Sequence, residues 1–166
     1  MFHLDSEARG FTPRTIEFYR QRLGMFLRYC DEQEVVALAD LTHILIRSYL
    51  AGLQRREVLS SAYIHSHARA IRTFCYFLVR EELLKVSPFG KVKMPRLEQK
   101  VLSALTGTEV QAALQACEYE RDKALLLFML DTGVRNSELC ALNVGDVAED
   151  GAVTVQMGKG QKGRMA

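Results

Sequence analysis

The stretch "SAYIHSHARAIRTFCYFLVR", residues 61 to 80, decides the fold. Ile64, Ala68, Ile71, Cys75 and Leu78 recur at intervals of three and four, the spacing that gathers side chains into one stripe along an α-helix. Ser60 or Ser61 supplies the hydroxyl that opens it. This helix is expected to be the longest in the chain, with the stripe buried.

Upstream the same pattern repeats. Thr42 suits the cap of a second helix, in which Ile46, Tyr49, Leu50 and Leu53 share a face. Thr12 and Pro13 suit the N-cap and first position of another, over about 13 to 31, with Ile16, Tyr19, Leu23, Phe26, Leu27 and Cys30 on its apolar side. Before it, Asp5 and Glu7 interrupt any apolar core segment, so the N-terminus is no secretory signal. Downstream, "SPFG" at 87 to 90 permits only a short fourth helix, and "KVKMPRLEQK" at 91 to 100 is polar, basic and broken by Pro95. These changes predict a helical domain over 1–91, a linker over 92–103 and a second region over 104–166.

The second region restarts with "TGTE" at 106 to 109, a capping box from which a helix should run to about Cys117. "RDKALLLFML" at 121 to 130 is apolar nearly all round, which predicts a helix buried on most sides. Gly133 can supply its left-handed C-cap, and "NSELCAL" makes further turns. From Ala152 to Met157 the sequence alternates as a strand does, until "GKGQKG" breaks it as a hairpin turn would. Only Arg164, Met165 and Ala166 follow. That return is expected to be too short to pair, leaving an unfinished domain.

Composition narrows the classes. With 48% hydrophobic and 25% charged residues, the chain reads as an ordinary globular protein and not a disordered one. No run approaches the roughly 20 apolar residues of a membrane span, so no membrane partner is expected and the setting should be cytoplasmic. Cys30, Cys75, Cys117 and Cys140 lie far apart in apolar patterns and read as buried free thiols. His65 and His67, two apart on a helix, do not face each other as a metal pair would. No metal site is expected. "GKGQKGRMA" lacks the Gly-Lys-Ser/Thr ending of a nucleotide-binding loop, and Ser60 and Ser61 have no triad partners at a usable spacing. Charge is uneven: residues 1–100 hold 16 Lys and Arg against 11 Asp and Glu, whereas residues 101–166 hold 6 against 9. A polyanion would meet the first part.

The chemistry turns on "DTGVRNSELCAL", residues 131 to 142. Arg135 follows the helix-ending glycine by two residues, and Glu138 follows one helical turn later. On the residues alone, Arg135 is either a core arginine paired with Glu138 or a cation aimed at a phosphate.

"TGVRNSELCALNVGDV", followed after a short strand by "GKGQKGR", resembles the first catalytic box and hairpin lysine of the tyrosine recombinases, the phage integrase family with its Xer-type and transposon members. "TIEFYRQRLGMFLRYC", "SAYIHSHARAIRTFCYFLVREELLKVSPFGKVKMPR" and "LSALTGTEV" are similar to that family's core-binding domain and its linker. The resemblance implies a mainly α chain, with an N-terminal four-helix SAM-like core-binding domain and the start of an α+β catalytic domain. It also implies double-stranded DNA as partner, homo-oligomers on DNA for full-length members, and no cofactor. In the family a tyrosine attacks a phosphodiester to form a 3′-phosphotyrosyl link, and fixed guanidinium groups stabilise the charge on the pentacoordinate phosphorus. Arg135 matches the first such arginine, Glu138 the acid that holds it, and Lys159 the hairpin lysine proposed as general acid, with Lys162 next in line. Arg14, Arg69 and Arg72, together with Lys91, Lys93 and Arg96 of the linker, are the candidate DNA contacts.

The sequence departs from the family in one large respect. No counterpart of the His-x-x-Arg box or the nucleophilic tyrosine follows the hairpin, and all six tyrosines precede Arg135. A truncated recombinase unable to cut DNA alone is therefore expected, with a stand-alone DNA-binding module or a helical interaction protein as alternatives.

Overall fold

Three hydroxyls start the main helices of the first half. Thr12 Oγ1 accepts the Thr15 N–H at 3.3 Å, Thr42 Oγ1 that of Leu45 at 3.3 Å and Ser60 Oγ that of Tyr63 at 3.2 Å. The computed structural model describes residues 1–98, 103–148, 150–155 and 164–165. It divides into two compact units, Met1–Lys100 and Val101–Ala166.

The first unit comprises α1 (Phe2–Ala8), α2 (Pro13–Glu32), α3 (His43–Gln54) and α4 (Ser61–Arg80), then a 3-10 turn at Pro88–Lys91. Its core gathers Phe26 of α2, Ile46 of α3, and Ala68, Ile71 and Cys75 of α4, all fully buried. Phe89 of the 3-10 turn closes one side, and Val92 and Met94 pack against the same core.

Several expectations need correction here. α2 and α4 are both 20 residues long, so α4 is not the longest alone. Leu27 is 47% exposed: it lies at the edge of the buried stripe of Ile16, Leu23, Phe26 and Cys30, about 100° round the axis from fully buried Phe26. The fourth helix is not at 87–90, where Pro88 opens a mere 3-10 turn; it is α1, which has only Phe2 and Ser6 to bury. α1 is held by tertiary contacts that no local pattern announces. The Phe2 ring meets Tyr19, Phe74 and Phe77 edge-on at 5.4, 5.6 and 5.2 Å, and Asp5 pairs with Arg80 at 2.6 Å.

The second unit contains α5 (Gly107–Ala116), α6 (Glu120–Thr132), α7 (Asn136–Leu139), a 3-10 turn at Val144–Asp146, β1 (Thr154–Val155) and β2 (Arg164–Met165). The Thr106–Glu109 capping box forms, with the Thr106 N–H donating to Glu109 Oε2 at 2.7 Å and the Glu109 N–H to Thr106 Oγ1 at 3.3 Å. Gly133 takes φ +61°, the left-handed turn that ends α6. α6 is not buried on most sides: Leu125, Leu127 and Leu130 are 42%, 51% and 43% exposed. The short return does pair. β1 and β2 form a minimal antiparallel ladder, Thr154 opposite Met165 and Val155 opposite Arg164, since two residues on each side suffice for its hydrogen bonds. Cys30 and Cys75 are buried, but Cys140 is exposed and Cys117 only half-buried, because their apolar neighbours lie on elements that bury little.

Candidate functional site

Gly133 reverses the chain after α6, Val134 is buried, and Arg135 arrives with extended backbone as the N-cap of α7. Arginine has no acceptor for the helix's first N–H groups, so the cap works in the other direction only. Glu138, one turn on, accepts the Arg135 backbone N–H on Oε2 at 2.9 Å and Arg135 Nη1 on Oε1 at 2.7 Å. The Glu138 side chain is 3% exposed and that of Arg135 55%. A buried acid thus fixes an arginine by both its main chain and its side chain, while much of that cation stays open to solvent. Of the five guanidinium N–H groups, those not engaged by Glu138 suit an oxyanion.

Lys159 and Lys162 lie outside the described residues, between β1 and β2 in sequence. Among the described residues of this unit, one buried polar residue escaped the sequence reading. Asp146 accepts the Asn143 backbone N–H at 2.8 Å and its Nδ2 at 3.3 Å, closing the 3-10 turn beyond α7. The Asn-x-x-Asp spacing was its only signal.

The candidate cations of the first unit fall into two groups. Ser61, His65, Arg69, Arg72 and Tyr76 repeat at three- and four-residue intervals and so share one stripe of α4. Arg69 lies over the Phe18 ring at 4.8 Å and Arg72 over Tyr76 at 5.7 Å. Neither has a carboxylate partner among the described residues, unlike Arg9, Arg20 and Arg80. Arg14 is exposed one turn before Phe18 on α2. Lys91 and Lys93 instead line a groove of about 420 Å³ with Arg47 of α3, and Arg96 borders a separate one of about 760 Å³ with Ser60, Ser61 and Glu98.

Residues 92–98 lie on the first unit as a strap. Arg47 donates to the Lys91 carbonyl, His65 Nδ1 donates to that of Pro95 at 3.0 Å, and the Glu98 N–H donates to Ser61 Oγ at 3.2 Å. On another side of α4, His67 is fully buried and shares a 2.9 Å hydrogen bond with Tyr49. Burial pushes His67 down to about 4 and Tyr49 well above the usual phenol range. Burial likewise raises Cys75 to about 12, so that thiol is inert.

A helical unit with cations stacked on rings along an outer stripe of α4, followed by a unit that cradles an arginine on a buried glutamate, defines a class. The phage integrase N-terminal SAM-like domain matches residues 3–82 and the phage integrase family matches residues 103–166; the chain belongs to that family. It is 34% identical over 168 residues to the tyrosine recombinase XerC of Myxococcus xanthus, covering 98% of this chain and 55% of that protein. It is 31% identical over 169 residues to XerD of Halalkalibacterium halodurans, covering 98% of this chain and 56% of that one. The chain spans about half the length of these curated relatives. Among solved structures, a lambda integrase dimer bound to a COC′ core site shares the fold, with a TM-score of 0.79 and 18% identity over 99% of this chain and 46% of that one. Among the described residues, no helix is long and apolar enough to cross a membrane.

Proposed function

We propose that this chain is the DNA-binding part of a site-specific tyrosine recombinase, the helical unit being its core-binding domain and residues 104–166 the first part of its catalytic domain. The parent enzyme integrates or exchanges DNA strands in the cytoplasm, as homo-oligomers on duplex DNA. The observation that carries the reading is the Arg135–Glu138 pair: an arginine side chain 55% exposed, locked by a glutamate whose side chain is 3% exposed. Arg135 binds the non-bridging oxygens of the scissile phosphate, where charge accumulates as the phosphorus becomes pentacoordinate. Glu138 holds it in place. Lys159 protonates the leaving 5′-oxygen, with Lys162 as a second phosphate contact. Arg14, Arg69 and Arg72 on the helices, and Lys91, Lys93 and Arg96 beyond them, contact the DNA backbone. Stacking supports this role for Arg69 and Arg72, because an arginine lying on a ring keeps its charge unneutralised and its orientation restricted.

The test is duplex binding by the chain as a function of salt. Log affinity should fall linearly with log salt, by roughly 0.9 for each phosphate neutralised, and replacing Arg69 and Arg72 together by alanine should remove about 1.8 from that slope. Absence of binding at low salt, or binding indifferent to salt, would overturn the proposal.

A further inference from the structure

We infer that Arg22 of α2 is a further DNA contact, its guanidinium held by Ser66 and Tyr63 of α4 so that its end edge is presented to a pair of acceptor atoms on the duplex. This rests on the DNA-binding reading above.

Arg22 Nε donates to Ser66 Oγ at 3.0 Å, and Ser66 Oγ in turn donates to the Tyr63 carbonyl at 2.6 Å. That second bond commits the hydroxyl proton, so Ser66 faces Arg22 as an acceptor. The guanidinium carbon sits 4.5 Å from the Tyr63 ring centre and 5.7 Å from that of Phe18, whose ring also carries Arg69 at 4.8 Å. Tyr63 is itself fixed, its hydroxyl reaching Met25 Sδ at 3.4 Å. Two arginines and two rings therefore alternate along the α2/α4 face. Nη1 and Nη2 of Arg22 have no hydrogen-bond or carboxylate partner among the described residues. A guanidinium anchored through Nε and one face retains the planar Nη1/Nη2 fork, the geometry that fits two phosphate oxygens or the O6/N7 edge of guanine. Because the side chain is already ordered, little of its freedom is lost on binding.

The experiment is fluorescence anisotropy of the full chain with a mixed-sequence duplex and with guanine-free poly(dA)·poly(dT), alongside thermal melting of each variant. Arg22→Ala should weaken binding on the order of 10-fold. Arg22→Lys, which keeps the charge but not the fork, should restore little of it, and Ser66→Ala should lose a few-fold with its melting curve unchanged. A phosphate contact gives equal losses on both duplexes and a salt slope shallower by roughly 0.9; a guanine contact gives a loss confined to the mixed duplex with the slope preserved. Either supports the inference. It is overturned if Arg22→Ala binds like the unaltered chain, or if Arg22→Lys and Ser66→Ala both do while Arg22→Ala does not. Should the unaltered chain bind neither duplex, the failure lies in the DNA-binding reading and takes Arg22 with it.

Discussion

α4 and α6 both carry large apolar side chains along their length, yet α4 buries eight residues and α6 none. On α4 the apolar groups keep to one side, so α2 and α3 cover them together and leave a polar stripe outside. On α6, Leu125 points away from Leu127 and Leu130, which share the other side of the axis, and each stays more than two-fifths exposed. Apolar content marks what a helix would gain by burial; periodicity decides how readily a few neighbours can provide it.

The contrast is sharpest in stability. Phe26→Ala, which empties a fully buried site between α2 and its partners, should cost about 3–5 kcal/mol, and Leu127→Ala on α6 less than about 1 kcal/mol. Urea unfolding followed by circular dichroism measures both. Equal losses would mean that the two helices are covered alike.

A smaller effect separates the units by pH. Charged His67 would carry a hydrogen on both ring nitrogens, and its Nε2 is buried with no acceptor among the described residues. The unfolded chain takes up that proton below its ordinary value of 6.5, the folded chain only below about 4. Stability should therefore fall as pH drops from 6.5 to about 4, by up to about 3 kcal/mol, and change no further through this group below that. His67→Gln should flatten the dependence in this window. Parallel urea midpoints for the variant and the unaltered chain across the window would refute the assignment.

The least effect is expected at α1. The Arg80 guanidinium hydrogen-bonded to Asp5 holds that carboxyl below its usual range, so the contribution is present above the carboxylate range and vanishes as pH falls through it. Asp5→Asn should speed amide exchange across Phe2–Ala8 at neutral pH while α4 stays protected. If exchange in α1 does not change, the pair does not hold it.

What could be read from the sequence follows from the same physics. The stripes of α3 and α4, the Thr12, Thr42 and Ser60 caps, the Thr106–Glu109 box and the Gly133 turn are local patterns, and they were legible. α1 was not, because Phe2 and Asp5 gain their partners from α2 and α4. Arg135 and Glu138 were legible as a pair from their spacing, but the burial of Glu138 was not, since it depends on what folds over α7. The stacking of Arg22 on Tyr63 brings together residues 41 apart in α2 and α4, and no periodicity within one helix reveals it.

The strap over 92–98 has a practical consequence for anyone dissecting the protein. A gene trimmed at the boundary suggested by Pro95 and the basic run would discard Val92 and Met94, strip His65 and Ser61 of their bonds, and leave a greasy notch beside Phe89. Moving the stop codon a few triplets later, past Glu98, keeps the helical half wrapped in its own tail.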